Sequence, residues 1–395
     1  MRIAVTGASG RIGQALVPEL MRRGVELVLA GRDPEGLRRR FPGVAVSSYA
    51  GLSEAAKGCA LVLHLAVRNN DQPGDWQDFE RDNVLLTLDV CRAAREAGVE
   101  RFVFVSSTHA LDADNAHFYA RSKRLAVERL SEVDGIGVET LYLPAFVSGR
   151  FGGKLAVLNG LPLRGVLLNL LKCLKPTVSL GTLADAVLAP GGERERIVSD
   201  TQAKNPLFGF FKRSFDVVAA LGLLVGLSWA MVLVWVAVRL TSQGAGIFRQ
   251  VRVGRDGQEF TCYKFRTMLV GTPNRASHEV SAAAVTGVGQ FLRRTKLDEL
   301  PQLFNVLAGQ MSFVGPRPCL PSQTELIEAR RRRGVLAIIP GITGLAQING
   351  VDMSDPERLS REDERYRLLQ GLLPDLRIML ATVRGRGGGD RVKTG

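Results

Sequence analysis

The chain has 395 residues, 46% hydrophobic and 6% aromatic, and a formal net charge of +13. Its length allows two or three domains; few aromatics, no zinc-ligand spacing and no RNA-binding signature exclude nucleic acid as a partner. The basicity is one-sided, because residues 1–200 hold 25 Lys+Arg against 23 Asp+Glu while residues 201–395 hold 27 against 16. That placement suits anionic lipid headgroups or phosphate substrates.

The five cysteines (Cys59, Cys91, Cys173, Cys262, Cys319) are scattered and lack CxxC spacing, which reads as buried thiols in a reducing compartment. The opening MRIAVTGASG enters a strand directly, so no signal peptide is expected and the start of the chain is placed in the cytosol.

The first predicted elements, in RIAVTGASGRIGQAL, are a strand, a turn with Gly7, Gly10 and Gly13, and the start of a helix. Glycines there permit a tight turn and let backbone N–H groups approach a pyrophosphate at a helix N-terminus. Strand-like runs follow at 25–31, 60–67, 101–107 and 137–143, with a helical stretch at about 79–97. This alternation predicts a doubly wound parallel sheet. VSSTHA then ends a strand in hydroxyls, and YARSK places Tyr119 and Lys123 four residues apart on a helix. A lysine one turn from a tyrosine can lower the phenol pKa and hold a nicotinamide ribose, so the set suits hydride transfer with Tyr119 as general acid/base.

Residues 1 to about 190 resemble the extended short-chain dehydrogenase/reductase family of sugar-nucleotide epimerases, dehydratases and ketoreductases. TGASGRIG, LHLAV, Asn83 in RDNV, VSST and YARSK carry the resemblance. It implies that Thr108, with Ser107 as the other candidate, completes a catalytic set with Tyr119 and Lys123. Arg32 stands where NAD-preferring members place an acidic residue. With Arg38 or Arg39 it suits a 2′-phosphate, so NADP(H) is expected, and Asp33 keeps NAD(H) open. The segment after LPAFVSG, which closes over the sugar nucleotide in that family, is short here.

Residues 191–210 are polar and Gly/Pro-punctuated and read as a linker. The stretch at 217–238, VVAALGLLVGLSWAMVLVWVAV, carries no charge and is flanked by Lys212, Arg213 and Arg239. At about 1.5 Å per residue such a helix reaches roughly 33 Å, enough to cross a bilayer.

Downstream, RRTKLDELPQLFNVLAGQMSFVGPRP holds adjacent carboxylates, Asp298 and Glu299. Neighbours on a helix point about 100° apart and cannot share one task, so one suits attack on an electrophile and the other a metal ion. Pro301 fits the first turn of a helix, which would set the dyad at a phosphate-attracting N-terminus. Lys264, Arg266, Arg293, Arg294, Lys296 and Arg317 surround it in sequence, as a phosphoryl-transfer site requires.

This half, from 211 to 383, is similar to the bacterial sugar transferases known as monotopic phosphoglycosyl transferases. The matching stretches are KRSFDVV, FRQVRVGRDGQEF, YKFRTM, LRRTKLDELPQLFNVLAGQMSFVGPRP and IIPGITGLAQING. The resemblance implies that Asp298 attacks the β-phosphate of a UDP-sugar, UMP leaves, and undecaprenyl phosphate takes the phosphosugar from the aspartate. Glu299 would bind Mg²⁺, and Arg317, Lys264 and Arg266 would hold phosphates. The family breaks its membrane helix at a Ser-Pro pair; here Ser228-Trp229 stands there, and Ala245 replaces a usual proline.

Both cofactor and UDP-sugar pools are cytosolic, and basic residues flank both ends of the apolar stretch, so a crossing is not expected. A helix that dips in and returns, broken near Ser228, is expected instead.

The resulting expectation is an α/β N-terminal Rossmann-like domain (1–190), a linker (191–210), a re-entrant membrane helix (211–239) and a mainly helical transferase domain (240–384). A disordered basic tail (385–395) follows. EARRRRGV is expected in solvent or facing anionic headgroups. The expected enzyme works at the cytoplasmic face of a bacterial inner membrane, loading a UDP-sugar's phosphosugar onto undecaprenyl phosphate among membrane lipids. Its N-terminal half would be a ketoreductase; epimerase and non-catalytic scaffold are the alternatives, a membrane receptor is the rival class, and a homodimer is compatible with the sequence.

Overall fold

The structure is a computed structural model and describes residues 1–148, 160, 162–272 and 284–387. Of the short segment expected after LPAFVSG, residues 150–159 and 161 lie outside the described residues, as does most of the tail expected to be disordered, from 388 on. The chain forms two compact units, one of residues 1–168 with 176–200 and one of 169–175 with 201–395.

The first unit is a seven-stranded parallel sheet. Its strands are β1 (Arg2–Thr6), β2 (Glu26–Gly31), β3 (Ala45–Ser48), β4 (Leu61–His64), β5 (Arg101–Ser107), β6 (Gly137–Leu143) and the later edge strand Glu195–Ile197. A side pair, β7 (Ala145–Val147) and β8 (Thr177–Ser179), precedes that edge strand, which is therefore β9. The order is β3-β2-β1-β4-β5-β6-β9, and every neighbouring pair is parallel.

Its helices are α1 (Arg11–Arg22), α2 (Pro34–Arg40), α3 (Leu52–Ala55), α4 (Trp76–Glu80), α5 (Leu86–Glu96), α6 (Phe118–Ser131), α7 (Arg164–Leu174, continuing into the second unit) and α8 (Leu180–Leu188). Period-two alternation feeds the two faces. Ile3 and Val5 of β1 enter one core with Leu16 and Leu20, while Ala4 enters the other with Phe102 and Phe104. The doubly wound expectation holds.

The second unit begins with α9 (Pro206–Thr241), then β10 (Ile247–Val253) and β11 (Glu259–Phe265) as an antiparallel hairpin. Next come α10 (Gly287–Thr295), α11 (Gln302–Leu307), β12 (Ser312–Val314), α12 (Thr324–Arg332), β13 (Gly341–Thr343), α13 (Leu345–Ile348), α14 (Pro356–Leu368) and α15 (Leu372–Val383). The stretch expected as a linker is structured: it supplies β9 and the first turns of α9.

The expected break near Ser228 is absent. α9 is one continuous helix of 36 residues, about 54 Å long. Ser228 does donate to the Val225 carbonyl (2.9 Å), and the helix absorbs this back-bond without interruption. One stripe of α9 packs on its own domain: Ala220 and Leu224 meet Leu303 and Val306, and Met231, Val234 and Val238 meet Phe265 and Leu292. The other faces are bare, with Val218, Val225, Trp229 and Leu240 between 65% and 82% exposed.

The basic pair before the apolar stretch does not face outward as a flank. Lys212 donates to the Val314 carbonyl (3.1 Å) and pairs with buried Asp375, and Arg213 donates to the Val306 and Leu307 carbonyls (2.6 and 2.8 Å) at the end of α11. Asp216 accepts from the Phe313 amide (3.1 Å). The first turns of α9 thus belong to the domain core, because each orphan carbonyl or carboxylate there needs its partner.

The basic run at 328–335 is likewise corrected. Arg330 is 3% exposed and paired with Asp363, and Arg333 pairs with Glu357 and Glu364. Only Arg331 and Arg332 are open to solvent, and both have acidic partners. Acidic residues of α14 pair with Arg330, Arg332 and Arg333, and Glu328 of α12 itself with Arg331.

Candidate active sites

In the second unit, α10 ends where Lys296 adopts a left-handed backbone (φ 60°), a conformation uncommon outside glycine. That reversal starts a single 3-10 turn, Leu297–Glu299, which holds the dyad. α11 begins only after Pro301, so the dyad sits one turn ahead of that helix rather than in its first turn. Asp298 is 7% exposed.

Glu299 Oε1 accepts from Lys264 Nζ (3.1 Å) on β11 and from Arg317 Nη2 (2.9 Å) in the loop after β12. Two cations on one carboxylate oxygen, all three side chains under 20% exposed, make a site of strong local field. Lys296 joins them: burial lowers its pKa, the Glu299 charge opposes that shift, and Arg317 adds to it. The positive φ at Lys296 is what tertiary structure adds, since a turn through a lysine carries no glycine signal.

Arg266 is not brought to Glu299. It donates to the Ala245 carbonyl (2.9 Å) and lies over the Phe248 ring. Arg293 donates to Thr267 (3.0 Å), while its Nη1 is buried without a hydrogen-bond partner. Asn305, fully buried, ties α11 to β11 through the Thr261 carbonyl (2.7 Å) and the Tyr263 amide (3.1 Å). Gly315 leads into the Arg317 loop; an added Cβ there would stand 2.4 Å from the Ile339 carbonyl oxygen, so no larger residue fits. A groove of about 510 Å³ reaches Pro301, two residues past the dyad in sequence, and is lined also by Val232 and Trp235 of α9, Arg249, Tyr263 and Phe304.

In the first unit, Gly7 has φ 74°, and a Cβ would lie 2.4 Å from the Ala66 nitrogen. At Gly13 a Cβ would lie 2.5 Å from the Ala8 Cα, whereas Gly10 is tight only against the Gly7 carbonyl oxygen (3.2 Å). Gly10 caps α1 with no side-chain bond and no acidic residue in the first turn, so its N–H groups are open to an anion. This cradle fits a dinucleotide.

At the end of β2, Asp33 caps α2 by accepting from the Gly36 amide (2.9 Å). Arg32 pairs with Asp82 (3.1 Å), a buried carboxylate that also binds Arg68 (3.0 Å) and Arg81 (3.3 Å). Of the arginines expected to help Arg32, Arg38 pairs instead with Glu35. Arg40, not singled out from sequence, reaches the Ser9 carbonyl of the glycine turn (3.5 Å).

Tyr119 is raised above the ordinary phenol range by burial, with a hydrogen bond from Ser107 pulling the other way. Ser107 is thus the hydroxyl brought to Tyr119, while Thr108 opens the 3-10 turn Thr108–Leu111. Lys123 is held against β5. It is 2% exposed, donates to the Val105 carbonyl (2.9 Å), lies over Phe104, and is itself pushed down to about 7 by burial. Asn83, inside the π-turn Arg81–Leu85, accepts from the Arg68 amide (2.7 Å) and donates to Ser122 (2.9 Å), joining the loop after β4 to α6.

Two family models match. Residues 3–128 match the NAD dependent epimerase/dehydratase family, and residues 207–386 match the bacterial sugar transferases. The exopolysaccharide production protein ExoY of Sinorhizobium fredii is 38% identical over 205 residues, covering 47% of this chain and 90% of that protein. The UDP-glucose:undecaprenyl-phosphate glucose-1-phosphate transferase of Klebsiella pneumoniae is 41% identical over 192 residues, covering 45% of this chain; the chain spans 41% of that protein's length. Among solved structures, the Bordetella bronchiseptica enzyme WbmG in complex with NAD is similar at a TM-score of 0.40 and 22% identity, covering 50% of this chain and 72% of that one. The chain belongs to the bacterial sugar transferase family and joins to it, in one polypeptide, a domain of the NAD dependent epimerase/dehydratase family.

Proposed function

We propose that the second unit moves a phosphosugar from a UDP-sugar to undecaprenyl phosphate. The observation that carries this reading is Glu299 held by Lys264 and Arg317 next to a buried Asp298, with an apolar groove that reaches Pro301. An Asp298 oxygen attacks the β-phosphorus, the bond to the α-phosphate oxygen breaks, and UMP departs. An oxygen of the lipid phosphate then attacks the same phosphorus and the Asp298 carboxylate leaves, restored. Lys264, Arg317 and Lys296 stabilise the charge that gathers on the phosphate oxygens. No group of three or more His, Cys, Asp or Glu gathers among the described residues. A Mg²⁺ at Glu299 would therefore complete its shell from water and substrate phosphates, the usual manner of that ion.

The bare apolar faces of α9 support placement at a membrane, and the cytosolic pools of cofactor and UDP-sugar favour its cytoplasmic leaflet. Because its packed stripe runs from Ala220 to Val238, a crossing helix would draw the charged β10–β11 hairpin into lipid, at high cost. A helix lying along the surface avoids that.

For the first unit we propose an NADP(H)-dependent 4-ketoreductase. The nicotinamide cofactor supplies hydride chemistry when bound. Gly7, Gly10 and Gly13 would admit its pyrophosphate, and Arg32 would meet a 2′-phosphate. Tyr119, kept protonated by burial, gives its proton to the substrate oxygen, oriented by Ser107. Epimerase action on a UDP-sugar is the second reading, favoured by the family that the unit matches.

The test is UMP release by full-length protein given a UDP-sugar, undecaprenyl phosphate and Mg²⁺. Asp298→Asn should lose at least about 10⁴-fold in rate, as loss of a nucleophile does elsewhere. Wild type should show a phosphosugar adduct on the Asp298 peptide by mass spectrometry. Full UMP release by Asp298→Asn refutes the covalent route, and unchanged product sugar from Tyr119→Phe refutes the redox reading.

A further inference from the structure

The loop that carries Arg317 is held by its backbone at four successive residues. The Pro316 carbonyl accepts from the Gly341 amide (2.9 Å), and the Cys319 carbonyl from the Val253 amide (2.9 Å). Between them, the Arg317 carbonyl accepts from Arg330 Nη1 (2.9 Å) and the Pro318 carbonyl from Arg252 Nη1 (3.0 Å). Both guanidiniums are buried, at 3% and 7% exposure. Each is also fixed from behind: Arg330 by Asp363 (2.9 and 2.7 Å), and Arg252 by the Gln250 side chain (2.9 and 2.5 Å).

A buried arginine is retained against a heavy desolvation cost, and an apolar pair of similar volume would stabilise the fold as well or better. What an apolar pair cannot do is donate in three directions from one plane. Here the third direction ends on the carbonyl of the residue whose side chain reaches Glu299 at 2.9 Å.

We propose that Arg330 and Arg252 are positioning residues of the transferase site, two internal guanidiniums that clamp consecutive carbonyls and so aim Arg317 at Glu299 and the substrate phosphate. The proposal rests on the transferase reading above. It gives the arginine run of α12 a role within the site rather than at a lipid surface.

The test is a mutant cycle in the full-length protein. Arg330→Met with Asp363→Leu removes the ion pair together and leaves no lone buried charge, so the fold should persist by circular dichroism. Its kcat for UMP release should fall about 10²-fold, the scale of a misplaced catalytic group, with KM for the UDP-sugar moving less. Combined with Arg317→Ala, the pair change should add nothing to the loss from Arg317→Ala alone, because both act through one side chain. Additive losses, or wild-type kcat in the paired variant, overturn the proposal. Should that variant unfold, Arg252→Met in the same cycle decides by the same criterion. If wild type releases no UMP, the transferase reading itself has failed. The cycle is then read from the Kd of UMP by calorimetry, where non-additive weakening supports the clamp and additive weakening overturns it.

Discussion

In the first unit Ser107 ends a strand that one parallel ladder already aligns, and it meets Tyr119 of α6 across only twelve positions of chain. In the second unit Glu299 is reached by a lysine 35 positions before it and an arginine 18 positions after it, each delivered by a separate element. A sheet places its strand termini through repeated backbone bonds, so side chains there are replaceable wherever a Cβ fits. Among its described residues the second unit has only two-stranded pairs, β10–β11 and β12–β13, and no ladder that spans its helices. It relies on individual buried side-chain pairs, and losing one partner leaves the other charged and unsatisfied.

The sharpest way to break that contrast is Lys212→Met. Asp375 would keep its buried carboxylate without a counter-charge, and the second unit should lose about 3–5 kcal/mol while the first melts as before; unchanged denaturant midpoints for both would sink the contrast. His64 gives the first unit a weakness of its own. It lies fully buried between Thr6 (2.7 Å) and Thr87 (3.0 Å), and burial, helped by the Lys123 charge, lowers its pKa to about 3.

The unfolded chain therefore takes up that proton first, so stability is whole above about pH 6.5 and declines as pH falls toward 3. At about 1.4 kcal/mol per unit the decline reaches a few kcal/mol. His64→Asn should flatten the acid limb of Tm against pH, and an unchanged limb would remove His64 from the account.

Gly7→Ala tests the claim that close backbone approach, not side-chain chemistry, builds the dinucleotide cradle. With a Cβ 2.4 Å from the Ala66 nitrogen, Kd for NADPH should rise at least about tenfold, or roughly 1.4 kcal/mol; equal affinity in a fluorescence titration would refute it. The smallest effect belongs to Arg331→Ala, a solvent-exposed arginine paired with exposed Glu328. Its removal should change stability by less than about 0.5 kcal/mol, against the large effect expected at its buried neighbour Arg330. A large loss at Arg331 would mean that burial does not sort the run.

What the amino-acid sequence determined by itself is what short-range physics encodes. Alternating apolar runs with a glycine turn specify the parallel sheet, because strand period and positive φ are local properties. The adjacency of Asp298 and Glu299 needs no fold to be seen, and the basic and apolar composition of the second half follows from counting.

Only tertiary structure decided which of equivalent residues does what. Ser107, the last residue of β5, is brought to Tyr119 on α6. Lys264 meets Glu299 while Arg266, two residues on, leaves for the Ala245 carbonyl. Arg330 goes inward and Arg331 outward because Asp363 on α14 waits on one side of α12 and solvent on the other. At Ser228 α9 runs on without a break, and a stripe from Ala220 to Val238 finds its partners on β11, α10 and α11. Partners distant in sequence leave no periodic trace, so arginines identical in sequence become distinct only once their neighbours are in place.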